Sequence, residues 1–147
     1  IEFNVRFGDP EAQVVLPRVQ GPFARTLLDA ARGRMEGEPL TWSDERCVGV
    51  VLASRGYPAS AESGQVITGL EEASDPDVVV FHAGTKLDDR GAVVTSGGRV
   101  LTVVGRAPTF EGAMAAAYRR VHTIHFDGMQ FRRDIGRKAV MLEMQTS

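Results

Sequence analysis

Cysteine is almost missing from the 147-residue sequence. Cys47 stands alone, so no internal disulfide framework is available, and such usage fits a reducing compartment. Long apolar runs are missing too: none approaches the roughly 18 residues that a membrane helix needs, and no signal-peptide pattern opens the sequence. Excess positive charge is lacking. The 17 Lys+Arg against 19 Asp+Glu leave a formal net charge of −2, without the basic stripe of a general nucleic-acid binder. What is present, 43% hydrophobic, 7% aromatic and 24% charged residues, is the balance of an ordinary folded domain. The expectation is a cytoplasmic protein with neither nucleic acid nor membrane as a partner.

An initiator Met is absent as well. The sequence opens Ile1-Glu2-Phe3-Asn4-Val5-Arg6-Phe7, already inside a strict apolar–polar alternation, and is expected to be a piece of something longer. Period two is the strand signature, and it puts Glu2, Asn4 and Arg6 on one face. Gly8-Asp9-Pro10 breaks the strand. Asp9 is expected to cap a short helix, with Pro10 at its first position and Glu11 in its first turn, interrupted at Pro17. A second helix is expected from Pro22 to Arg34 on the stripe Phe23, Leu27, Leu28 and Ala31. The Gly- and Pro-containing stretch 32–43 is the candidate domain boundary.

Beyond it, Cys47–Ala53 reads as a buried strand and Gln65–Leu70 as a brief one. Three more are expected at Val78–Lys86, Gly91–Thr95 and Arg99–Gly105, with turns at Asp88–Gly91 and Ser96–Gly98. That spacing predicts an antiparallel meander. Thr109 caps a helix with the stripe Phe110, Met114, Ala117 and Val121. Phe126, Met129 and Phe131 are expected to be buried, and 140–147 is expected to be a frayed, possibly non-native tail. The fold class is therefore α+β.

Several residues carry potential chemistry. Glu2 and Asn4 offer two hard oxygen donors of the kind Mg²⁺ and Mn²⁺ prefer. Arg6, on the same face, carries a planar fork of donors suited to phosphate. The plain alternative is a solvent-facing polar stripe on an edge strand. His82 reads as structural. His122 and His125 have no Cys or carboxylate nearby to complete a zinc set. Cys47 reads as core packing, and Arg132, Arg133, Arg137 and Lys138 as a basic patch beside Asp134.

The run Glu2-Phe3-Asn4-Val5-Arg6-Phe7-Gly8-Asp9-Pro10-Glu11 resembles the last catalytic strand of ATP-grasp enzymes. With Val80-Phe81-His82-Ala83-Gly84-Thr85, Thr95-Ser96-Gly97-Gly98-Arg99-Val100-Leu101 and Phe131-Arg132-Arg133-Asp134-Ile135-Gly136, it resembles the phosphoribosylamine–glycine ligase family. The resemblance implies that residues 1–40 end an ATP-grasp domain and 41–139 form a small antiparallel-sheet domain with flanking helices. It implies ATP as co-substrate, with Mg²⁺ or Mn²⁺, and glycine and 5-phosphoribosylamine as substrates joined through a glycyl phosphate. By the same resemblance Glu2 and Asn4 are metal ligands, Arg6 steadies the transferred phosphoryl group, and Asp9 and Glu11 stand at the same rim, where carboxylates hold a substrate amino group. The family's amino-terminal domain, adenine pocket and lid are missing, so the fragment is expected to need that part as its partner and to be inactive alone. A non-catalytic docking module derived from such an enzyme is the alternative.

Overall fold

The computed structural model describes residues 5–34, 37–71 and 75–146. In chain order they form helix α1 (Glu11–Val15), a single 3-10 turn (Leu16–Arg18), strand β1 (Val19–Gln20) and helix α2 (Phe23–Ala31). Strands β2 (Thr41–Trp42), β3 (Arg46–Ala53), β4 (Val78–His82), β5 (Thr85–Leu87), β6 (Val93–Thr95) and β7 (Arg99–Ala107) follow. Helices α3 (Phe110–Val121) and α4 (Arg137–Thr146) close the chain. The class is α+β, with every strand pair antiparallel.

Strand β7 organises the molecule. Its run Val-Leu-Thr-Val-Val is buried on both faces, so it takes the centre of a three-stranded sheet ordered β3-β7-β4. This corrects the expected meander: β5 and β6 form their own hairpin ladder instead. The strand expected over Val78–Lys86 divides at Ala83–Gly84, where the Thr85 N–H donates back to the Ala83 carbonyl at 2.9 Å. The β5–β6 turn is held by the Asp88 carboxylate, which accepts the N–H groups of Arg90 and Ala92 at 2.9 and 2.8 Å. Gln65–Leu70 is not a strand. Its pairing is limited to the single bridges Val66↔Val94 and Thr68↔His125.

Register decides the two faces of the sheet. Val50 lies opposite Val103, which lies opposite Val80, so these three share the face that α3 covers. Helix α3 lies so close because Gly105 presents no side chain; a Cβ there would collide with the Ala113 carbonyl and the Ala117 N–H. Thr109 caps α3 as expected, its Oγ1 accepting the Gly112 N–H at 3.1 Å. The face α3 buries is centred on Ala113, Ala116, Ala117 and Val121, with Phe110 and Met114 at its margin. Val50, Leu52, Leu101, Val103, Val121, Ile124 and Phe126 form the core. Each such aliphatic side chain contributes roughly 1.5–3 kcal/mol. Met129 and Phe131 pack at its edge, partly buried.

The opposite face receives α1 at Gly49, where a Cβ would lie 2.6 Å from a Val14 methyl. Three expectations near the amino terminus change. Residues 1–4 of the expected opening strand lie outside the described residues, and 5–7 are not a strand: Val5 and Arg6 form a bend, with Val5 fully exposed. Asp9 does not cap α1, because its carboxylate is drawn to Gln13 and Arg99 instead. Helix α2 is shorter than expected and turns Leu27, Leu28 and Ala31 outward while burying Asp29. At the other end, the expected frayed tail is helical through position 146.

Candidate functional site

A cluster centred on Arg99 ties the amino-terminal segment to the sheet. Arg99 opens β7 beneath the Ser96–Gly98 turn, which aims its guanidinium across the sheet end. Its Nε donates to the Tyr57 hydroxyl at 2.8 Å, and its guanidinium carbon sits 5.9 Å from the Tyr57 ring centre. Its Nη1 donates to the Asp9 carbonyl and lies 3.3 Å from the Asp9 carboxylate. The Tyr57 hydrogen bond is the largest influence on Arg99 and raises its pKa above the ordinary value; burial opposes it, and the charges of Tyr57 and Asp9 add to the rise. The Asp9 carboxylate also accepts Gln13 Nε2 at 2.9 Å. Asp9 and Glu11 are thus held over the β3–β7 sheet, Asp9 by its hydrogen bond and ion pair with Arg99 and Glu11 by the docking of Val14 on Gly49.

Arg6 is exposed, and its Nη1 donates to the Phe7 carbonyl at 2.9 Å. Glu2 and Asn4, the expected metal ligands, lie outside the described residues. Among the described residues no group of three or more His, Cys, Asp or Glu side chains gathers as a metal site. His122 packs edge-on against Phe131, with ring centres 6.1 Å apart, and His82 Nδ1 lies 3.0 Å from the Thr85 hydroxyl.

Two concavities flank the cluster. One, of about 280 Å³, is walled by Pro10, Glu11, Val14, Cys47, Phe110 and Ile135. Cys47 is half-buried on its wall rather than in the core. Burial pushes its thiol pKa up, offset in part by Arg18 and Arg106. The other, of about 290 Å³, lies between Val51, Tyr57, Gln130, Phe131 and Arg132. There Arg132 grips Asp134 through two hydrogen bonds of 2.9 and 2.7 Å. That grip holds the Asp134 carboxyl below its ordinary range. Sequence reasoning missed Arg99 as the partner of Asp9, and Tyr57 as the partner of Arg99. No local pattern links positions 9, 57 and 99, because the sheet alone brings them together.

The block from Cys47 onward decides the family. Residues 47–138 match the family described as phosphoribosylglycinamide synthetase, C domain. The chain belongs to that family. Relatives of this phosphoribosylglycinamide synthetase C-domain chain extend the likeness in both directions from the matched block. The chloroplastic phosphoribosylamine–glycine ligase of Arabidopsis thaliana is 49% identical over 142 residues, covering 95% of this chain and 27% of the relative. The phosphoribosylamine–glycine ligase of Streptomyces coelicolor is 50% identical over 143 residues, covering 95% of this chain and 34% of the relative. The crystal structure of phosphoribosylamine–glycine ligase from Thermotoga maritima superposes with a TM-score of 0.77 at 39% identity, covering 91% of this chain and 32% of that one. The chain therefore spans about a third of the length of the proteins it matches. Among the described residues, no helix is long and apolar enough to cross a membrane.

Proposed function

We propose that this chain is the carboxy-terminal part of an ATP-dependent ligase acting in de novo purine biosynthesis. The complete enzyme joins glycine to 5-phosphoribosylamine through a glycyl phosphate, releasing glycinamide ribonucleotide, ADP and phosphate. The observation that carries this reading is the match of 95% of the chain to phosphoribosylamine–glycine ligases at 49% and 50% identity. Residues 1–40 supply the end of an ATP-grasp domain, and 41–139 supply the small antiparallel domain that follows it. The single Cys47 suits a cytoplasmic enzyme.

The donor chemistry at the amino terminus fits a divalent cation carrying ATP. Glu2 contributes a carboxylate and Asn4 an amide oxygen, both hard ligands of the type Mg²⁺ and Mn²⁺ take. Such a cation neutralises phosphate charge during phosphoryl transfer, a reaction that needs positioning and electrostatics more than covalent help. Arg6, which is exposed and follows Asn4 by two positions in the sequence, steadies the transferred phosphoryl group through its fork of N–H donors. Asp9 and Glu11 hold the amino group of a substrate at the same rim. The Arg99–Asp9 ion pair supports this arrangement by fixing the direction in which the segment leaves the sheet.

Mixing this chain with the amino-terminal part of the enzyme is expected to restore glycine-dependent ADP release, with neither part active alone. Tight association without turnover would favour the docking-module alternative. In the complete enzyme, Glu2→Gln is expected to lower kcat by roughly a hundredfold or more, the scale of losing one charge-stabilising group, with little change in folding. Unaltered turnover and unaltered metal dependence in that variant would remove Glu2 from the ligand set.

A further inference from the structure

The loop that follows β3 is tied to the turn before β7. Ser54, which is buried, donates its N–H to the Gly98 carbonyl at 2.9 Å. The Ser54 carbonyl in turn accepts Gln130 Nε2 at 3.0 Å and the Tyr57 N–H at 3.2 Å. The Ser60 N–H closes the loop on the Gly56 carbonyl at 3.0 Å. Gly98 completes the seat. A Cβ there would lie 2.5 Å from Cδ2 of Tyr57, so only a residue without a side chain lets the ring settle against this turn. Loop, turn and ring together fix where the Tyr57 hydroxyl stands.

That hydroxyl accepts the Arg99 Nε–H at 2.8 Å, while Nη1 of the same guanidinium donates to the Asp9 carbonyl and lies 3.3 Å from the Asp9 carboxylate. A guanidinium is planar and rigid, so a hydrogen bond at Nε restricts where Nη1 can point. Among the described residues the Arg99 side chain has no other hydrogen-bond partner. Asp9 depends on this contact. It precedes α1 without capping it, and residues 5–7 before it are exposed and belong to no helix or strand. An exposed ion pair by itself is a loose tether. One oriented guanidinium that takes the backbone and the side chain of Asp9 together is a stiffer one.

We propose, resting on the role given to Asp9 above, that Tyr57 is a positioning residue for the site of the substrate amino group. Its hydroxyl orients the Arg99 guanidinium, and Arg99 in turn sets the Asp9 carboxylate; Tyr57 itself touches no substrate. Oδ1 of Asp9 accepts Gln13 Nε2 and Oδ2 faces Arg99, so these two contacts set the direction left for an incoming N–H. Small errors in that direction matter, because a group that holds a reacting amine must stand within about 0.5 Å of its working place. Removing the hydroxyl alone leaves the ring, its seat and both charges, and takes away the orientation.

The test uses the complete enzyme, with KM measured separately for glycine, 5-phosphoribosylamine and ATP, and urea unfolding read in parallel. Asp9→Asn is expected to raise KM for one amine substrate. Tyr57→Phe keeps the ring on Gly98 and is expected to raise KM for that same amine about tenfold, the scale of one hydrogen bond to a charged group, with kcat and the KM for ATP changed less than about twofold. In the Asp9→Asn background Tyr57→Phe is expected to add nothing, because its effect passes through that carboxylate. Should Tyr57→Phe not fold, Arg99→Lys keeps the charge but lacks Nε and the fork, and is expected to give the same selective, non-additive rise. An effect of Asp9→Asn with none from Tyr57→Phe beyond a shifted urea midpoint overturns the proposal and leaves the role of Asp9 standing. Effects of the two substitutions that multiply do the same. An Asp9→Asn enzyme with every KM unchanged removes that role, and the proposal falls with it.

Discussion

Arg99 divides one guanidinium between Tyr57 and Asp9, and this single side chain joins three segments that lie far apart in sequence. Because the cluster is partly exposed, its charge contribution is modest and its hydrogen bonds matter more. Arg99→Met is expected to cost roughly 1–2 kcal/mol in urea unfolding, and high salt should reproduce only a fraction of that loss. Cys47 makes a second prediction at this scale. Burial raises its folded pKa above the value in the unfolded chain. The associated stability is therefore complete below the ordinary thiol pKa and is lost as pH rises through the folded value. Reaction with a disulfide reagent is expected to need a more alkaline pH than a free cysteine peptide does; matching pH profiles would contradict this. Asp134 has the opposite sign. Its lowered pKa favours the folded state above the ordinary carboxylate range, and that small effect disappears in acid.

Among the elements, the pairing of α3 with β7 is the most demanding. Ala113, Ala116 and Ala117 are small enough to bring the helix down onto the strand, and Gly105 removes the last obstacle. Backbone cannot move aside as a side chain can, so Gly105→Ala must push α3 away from the sheet. The expected cost is about 1–3 kcal/mol, read by thermal or chemical unfolding. An unchanged midpoint would mean that α3 sits less closely than its register indicates. Helix α4 illustrates a different interaction between elements. Glu143 reaches Arg46 at the start of β3 and also accepts the Phe110 N–H at 2.8 Å, satisfying an amide that α3 cannot pair internally. The bland composition of the last residues hid this role, because one carboxylate carries it.

For the molecule as a whole, the imbalance lies in α2. Its buried residue is Asp29, paired with Arg25 at 2.7 Å, while Leu27 and Leu28 remain 44% and 43% exposed. Phe7, beside Phe23, is also exposed. An amphipathic helix with its apolar stripe in water is one whose packing surface lies elsewhere. Leu27→Ser with Leu28→Ser is expected to change the stability of this chain by no more than about 0.5 kcal/mol and to reduce its binding of apolar dyes. In the complete enzyme proposed above, the same pair is expected to cost several kcal/mol, roughly 2–5 per buried leucine removed. Equal effects in both would show that the stripe stays in water throughout.

Local patterns in the sequence were enough for the strands over Cys47–Ala53 and Arg99–Gly105, the Thr109 cap, the Asp88 turn and the four blocks that mark the family. Each depends on neighbours within a few residues, where periodicity and turn chemistry act. The central place of β7, the division at Ala83–Gly84, the outward stripe of α2 and the Asp9–Arg99–Tyr57 cluster were decided only in three dimensions. They arise from contacts between distant segments. Asp9 shows the reason most directly: an isolated helix start would keep its carboxylate as a cap, but the folded sheet offers it a cation, and the cation wins.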